Sequence, residues 1–210
     1  MHDYRPYFYD EINKVYPGMA SAIIQATDDQ YTTLLPDISF ISYSGNPIDK
    51  RLDFSAYFLA LIQVLEKEGE DFEKIRMVCL NITTEYVKPK SALQRWFKKW
   101  PSKIMNTKFA SWFYQQFEKR ISVNKSSEGF IAKVITDKDE TYGMGFGIDI
   151  LECGICKLFN KHNSRRYASI LCEVDEITSA QAGLKLIRTG TIANGAHKCD
   201  FRYKKSEKYM

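Results

Sequence analysis

The stretch LDFSAYFLALIQVLEKEG, residues 52–69, constrains the fold more than any other part of the chain. It reads as a helix over residues 53–68, with Asp53 placed to cap its start and Gly69 to stop it. Apolar side chains run around most of its circumference, so it belongs in the middle of a domain, covered on every side. A second helix is expected over residues 71–87, with Phe72, Ile75, Val78, Cys79 and Ile82 on one face and Pro89 ending it. A third, over residues 107–121, shows Phe109, Trp112, Phe113, Phe117 and Ile121 at helical spacing and is expected to turn them to the core.

Before these helices the pattern is weaker. Tyr7, Phe8, Ile12 and Val15 have helical spacing, and Pro17-Gly18 stops that helix. Pro36 and Gly45-Asn46-Pro47 then mark loops. Residues 1–50 are therefore expected to form an irregular, partly helical N-terminal extension, and residues 51–205 a single α+β domain.

After residue 121 the period changes. GFIAKVIT, residues 129–136, is rich in strand formers and is followed by an acidic turn at residues 137–140. Over residues 142–151 the bulky Tyr142, Met144, Phe146, Ile148 and Ile150 alternate with Gly143, Gly145, Gly147 and Asp149. That is a period of two, a strand with one bulky and one nearly bare face. Interior strand glycine marks close approach of a ligand, or tight packing of another backbone. Helices over residues 152–162 and 164–181 follow, then strands over 184–193 and 198–204 joined through Asn194-Gly195, a hairpin signal. Helices first and an antiparallel sheet second, without βαβ alternation, define an α+β class.

A chain of 210 residues buries enough surface to fold without staples. Its five cysteines are too few and too scattered for a disulfide scaffold. The N-terminus, MHDYRPYFYDEINK, lacks the apolar stretch of a signal peptide, and the longest apolar run, residues 54–65, is too short to span a bilayer. The expected location is the cytoplasm, with reduced thiols. A net charge of +4 is mild, and no nucleic-acid partner is expected. Residues 88–108 hold seven basic and no acidic residues, interleaved with Trp96, Phe97 and Trp100. That segment reads as a solvated helix packing its tryptophans on the core, or as a surface for an anionic partner. A homo-oligomer is compatible with this composition.

The chemistry-bearing residues gather in residues 142–203. Cys153 and Cys156 share one face of a short helix, and Cys172 and Asp175 lie one turn apart on the next. On the last strand His197, Cys199, Phe201 and Tyr203 share one face, and Lys198, Asp200, Arg202 and Lys204 the other. Arg188, on a face with Leu184 and Leu186, needs an anionic partner in the protein or on a ligand. Three uses of the thiols stand side by side: a zinc or iron–sulfur site built from Cys153, Cys156, Cys172 and Cys199 (or His197), plain core packing, and a nucleophile or acid acting on a small molecule.

Four motifs in order, ECGICKL at residues 152–158, LCEVD at 171–175, RTGTIANG at 188–195 and CDF at 199–201, resemble the L-2-amino-thiazoline-4-carboxylic acid hydrolase family. The resemblance is specific over residues 143–203, loose through the helical half and negligible over the first fifty residues. It implies an α+β hydrolase that opens a small cyclic amidine carboxylate at a C–N bond and needs no cofactor. On that reading Arg188 anchors the substrate carboxylate. Asp175 and Asp200 bind the amidinium and act as base, and Cys172 or Cys199 is the nucleophile. Thr191, His197 and the bare face of Gly143, Gly145 and Gly147 complete the substrate pocket. The cysteine-rich ending also resembles vinyl-reductase-type ligand-binding domains, which implies a sensing module without turnover. A zinc-stabilised interaction protein is the third expectation.

Overall fold

The computed structural model describes residues 3–89, 108–122 and 126–206. Helix α3 (Arg51–Lys67) lies at its centre, with eleven of its seventeen residues buried, as its all-round apolar sequence requires. It ends at Gly69, whose φ of +88° suits a residue without a side chain. The start differs from expectation. The helix begins two residues before Asp53, and the capping position, Lys50, makes no side-chain bond. Asp53 instead accepts hydrogen bonds from the Tyr4 and Tyr31 hydroxyls at 3.0 and 2.5 Å.

Tyr4 caps the first, and Tyr31 lies in the second, of two helices that cover α3. Helix α1 (Arg5–Val15) follows the expected stripe, burying Phe8 and Ile12. Helix α2 (Ala20–Ile38) corrects the loop expectation for this stretch: Pro36 sits inside its last turn. Its buried residues, Ala20, Ile23, Thr27, Tyr31, Leu34 and Ile38, recur every three or four positions. Asp28 on α2 accepts from Tyr9 of α1 at 3.0 Å and from Tyr57 of α3 at 2.7 Å. The Arg5 guanidinium lies 5.5 Å from the Tyr31 and Tyr57 ring centres. Buried residues from Tyr4 to Cys199 form one continuous cluster, so this region shares the core of the rest.

Helix α4 (Phe72–Val87) is capped by Asp71, which accepts from the Lys74 amide at 2.8 Å, and buries Ile75, Val78, Cys79 and Ile82 as their spacing requires. Helix α5 (Lys108–Ile121) packs toward the sheet through Tyr114, Phe117 and Ile121. Trp112 and Phe113, expected in the core, are 57% and 54% exposed because that buried stripe points them outward. Residues 90–107, nearly all of the basic aromatic segment, lie outside the described residues.

Four antiparallel strands form a sheet in the order β1-β2-β4-β3: β1 (Ile131–Ile135), β2 (Gly147–Glu152), β3 (Leu184–Ile187) and β4 (Cys199–Lys205). Helices α6 (Gly154–Lys161) and α7 (Ala168–Gln181) fill the space between sheet and helical layer, α7 packing on α4 and β3. The class is α+β.

Two strand boundaries differ from expectation. The strand expected from Tyr142 begins at Gly147, because Tyr142, Gly143 and Gly145 have φ of +52°, +79° and +64° and form a turn. The strand expected over residues 184–193 ends at Ile187, and Asn194-Gly195 is not a hairpin turn. Residues 188–198 make a loop containing a short 3-10 turn, Ile192–Asn194. Asp200 causes the break: its carboxylate takes the Thr189 and Gly190 amides at 2.9 and 3.1 Å, drawing them out of the ladder.

Candidate functional site

The loop before α3 sets the first wall of the site. Asn46 donates to the Phe130 carbonyl at 3.0 Å, and Asp49 accepts from the Phe130 amide at 2.9 Å. Both polar side chains are buried, so the clamp fixes where α3 starts and where its first residue, Arg51, projects. Arg51 donates to the Asp175 carboxylate on α7.

Arg188 reaches the same acid from the other side. Just past β3, its Nη2 donates to the Cys172 carbonyl at 3.0 Å and to Glu176 at 2.8 Å. Its guanidinium lies 5.3 Å from the Phe201 ring centre. Nη1 stands 3.7 Å from Asp175 and, among the described residues, has no hydrogen-bond partner, although the side chain is only 9% exposed. A buried N–H left unbonded is costly, so Nη1 is a donor held ready for an acceptor.

Of these charged groups, Arg51 and Asp175 line a cavity of about 560 Å3 between α3, α4, α7 and the sheet, and Arg188 adjoins it through Asp175. Its walls are mainly apolar, with Phe54, Tyr86, Phe117, Val174 and Phe201 among them. Tyr203 also faces it, its hydroxyl pushed up to about 12 by burial and by Asp175, against the pull of Arg51 and Arg188. Size and lining suit a small organic ligand with one anionic end.

A narrow cleft shares Arg51, Asp175, Leu171 and Phe201 with the cavity and runs to four cysteines. Their environments differ sharply. Cys153 is the residue preceding α6, and Gly154 lets that helix seat tightly: a side chain there would meet the Glu128 carbonyl at 3.0 Å and the Phe130 ring at 3.1 Å. The Cys153 thiol is held below its ordinary range, chiefly by the neighbouring Cys156 thiol. The Ile155 and Cys156 amides and the charge of Arg51 add to this, against burial. Cys156 is pushed far up by Cys153 and by burial. Burial pushes Cys172 up to about 12 and Cys199 up to about 11.

The expected site residues divide into two groups. Asp175, Cys172 and Cys199 do meet in the cleft, and Arg188 adjoins them through Asp175 and the Cys172 carbonyl. The others do not join them. Asp200 is tied to Thr189 and Gly190, and those bonds hold its carboxyl below the ordinary range despite burial. Thr191 accepts from the Asn194 amide at 3.3 Å, within the same loop. Gly143 and Gly145 lie in the turn before β2. Gly147 backs onto Arg202, whose Cδ would stand 2.9 Å from an added side chain, so the bare glycine face does not floor the cavity. His197 is exposed, on a surface groove beside α6. Among the described residues, no three His, Cys, Asp or Glu side chains are grouped so as to hold a metal ion.

Sequence reading did not single out Arg51 or Tyr203 as site residues, and it offered Cys153 by number only as a metal ligand, not as the low-range thiol. Arg51 sits at the start of the most apolar helix, and the polar run Ser44, Asn46 and Asp49 just before it was the available signal. What these elements define is an α+β protein with a cavity lined by Arg51 and Asp175 and a thiol cleft between helices and sheet. Residues 51–203 match the model of the L-2-amino-thiazoline-4-carboxylic acid hydrolase family, and the chain belongs to that family. The resemblance read from residues 143–203 thereby widens to take in α3 and α4. No curated protein and no solved structure gives a significant match. Among the described residues no helix is long and apolar enough to cross a membrane.

Proposed function

We propose that this chain is a hydrolase that opens a small cyclic amidine carboxylate of the 2-aminothiazoline-4-carboxylate type at its ring C–N bond. The observation that carries the reading is the unbonded, buried Arg188 Nη1 beside Asp175, the acid it shares with the cavity-lining Arg51. Two guanidinium groups sharing one carboxylate retain donor capacity for a second, and a substrate carboxylate fits that capacity. Asp175 then serves as the positioning residue that aims both arginines.

The thiol best suited to react is Cys153, ahead of the Cys172 and Cys199 expected from sequence. A nucleophilic thiol must be ionised near neutral pH, and only Cys153 among these four is pulled in that direction. Its thiolate adds to the carbon between ring sulfur and nitrogen. The ring C–N bond breaks, and the nitrogen leaves as a protonated amine. Water then adds to the same carbon and expels the Cys153 thiolate, leaving a carbamoyl–cysteine. One water is consumed and the enzyme is returned unchanged.

The test is ring opening of 2-aminothiazoline-4-carboxylate by the purified chain. Turnover is expected, with Arg188→Lys raising KM at least tenfold and Cys153→Ser abolishing kcat. Turnover that survives Cys153→Ser removes the thiol from the mechanism. A second reading, a sensing module without chemistry, draws on the mainly apolar cavity walls. A ligand-dependent rise in Tm with no product would favour it.

A further inference from the structure

The cysteine pair has a second face. Beyond the cleft, Cys153 and Cys156 also line an open surface groove of about 360 Å3, together with Lys157, Arg165, His197 and Glu152. The two cysteines face this groove from the first turn of an eight-residue helix, Cys153 just before it and Cys156 at its third position. Across such a turn the Cα atoms stand about 5–6 Å apart, within the roughly 4.4–6.8 Å that a disulfide spans. All five cysteines are free, and both members of this pair are partly exposed. Cys79 and Cys199, by contrast, are buried.

We propose that Cys153 and Cys156 form a reversible disulfide by exchange with a small carboxylate-bearing disulfide, of the glutathione disulfide class, taken up in this groove. The chemistry of the groove selects the partner. Lys157 is paired with Glu152, the one acid, so Arg165 with His197 beside it leaves the groove a net positive charge, and an anionic disulfide is favoured over a neutral one. The arrangement divides the labour as exchange requires. Cys153 has the environment of an attacking thiolate, and Cys156, one turn on in the same groove, is the resolving thiol.

The steps balance. Cys153 Sγ attacks one sulfur of the incoming disulfide, the S–S bond breaks, and the first thiolate leaves and takes a proton from solvent. Cys156 releases its proton and attacks Cys153 Sγ, and the mixed disulfide breaks to free the second thiol. Two protein thiols are oxidised by two electrons, and one small disulfide is reduced to two thiols. On the hydrolase reading, this oxidation also stops ring opening until a reductant restores it. The exchange itself does not depend on that reading.

The experiment incubates the full chain with glutathione disulfide at neutral pH, quenches with acid, and reads intact mass and a peptide map. A loss of two hydrogens, a link between residues 153 and 156, and reversal by dithiothreitol are expected. In Cys156→Ser the reaction should stop at one glutathione attached to Cys153. No mass change, a stable glutathione adduct on the wild-type chain, or a link through Cys172 or Cys199 would overturn the proposal. Should Cys156→Ser fail to fold by circular dichroism, the wild-type map decides alone. The hydrolysis assay, run on reduced and oxidised samples, is scored separately, so a chain that exchanges without turnover counts against the hydrolase reading only.

Discussion

The helical layer of α1, α2 and α3 and the cavity base around α7 both place acids among arginines and tyrosines, and they finish differently. In the helical layer the bonds around Asp28 and Asp53 close. Asp28 takes two tyrosine hydroxyls, Asp53 takes two more, and Arg5 lies against two of the same rings. Around Asp175, Arg188 keeps a buried donor without an acceptor, and Cys153 in the adjoining cleft carries the conditions for a thiolate. Closed networks hold a fold in one arrangement, whereas an open one keeps stabilisation in reserve for a ligand. The contrast therefore separates residues that build this protein from residues that work in it.

The largest expected effect tests the closed side. Leu61→Ala empties a fully buried position in α3 and should cost about 2–5 kcal/mol in urea denaturation. A loss under about 1 kcal/mol would mean that α3 is not the packed centre described here. Next, Asp53→Ala strands the Tyr4 and Tyr31 hydroxyls and should cost about 2–3 kcal/mol, measured the same way. If Asp53→Ala were neutral, the helical layer would be as tolerant as the cavity base and the comparison would fail.

The open side is expected to respond in reactivity more than in stability. Iodoacetamide at pH 7 should modify Cys153 first, with Cys172 and Cys199 lagging because burial pushes their thiols up to about 12 and 11. Cys153→Ser should remove the fast phase and change stability by less than about 1 kcal/mol. Peptide mapping that finds Cys172 or Cys199 alkylated first would return the nucleophile to the strand and helix positions suggested by sequence.

The smallest effect concerns Asp200, a closed group within the site region. Its folded carboxyl is held below the ordinary value by Thr189 and Gly190. It therefore contributes stability that is fully present above the unfolded value of about 4, and that contribution is lost as pH falls through the folded value. Asp200→Asn should lower stability above about pH 4, and its profile should converge with the wild type in stronger acid. A constant offset down to the lowest pH would show that the loop, and not the ionised carboxylate, accounts for the difference.

Local pattern made the central elements legible. An all-round apolar run specifies a buried helix whatever surrounds it, and Asp71, Gly69 and Pro89 act on their own neighbours. Helix α2 was less legible because β-branched and polar residues with a proline weaken its local preference, although its three-and-four spacing was present. The strand boundary at Gly147 misled for a different reason. Alternation with glycine imitates a period of two, while positive φ at Tyr142, Gly143 and Gly145 makes the same residues a turn.

The sequence by itself determined the α+β class, the buried α3, the thiol and arginine motifs and the faces of β4, because each rests on spacing within one segment. Only the tertiary structure decided which of those groups work together. Arg51 and Arg188 are 137 positions apart and meet because α7 presents Asp175 between them. Cys153 differs from Cys172 and Cys199 through a neighbouring thiol, two amides and the charge of Arg51. Charge, burial and hydrogen bonding act through space, so pKa and ligand readiness follow from which segments are brought into contact.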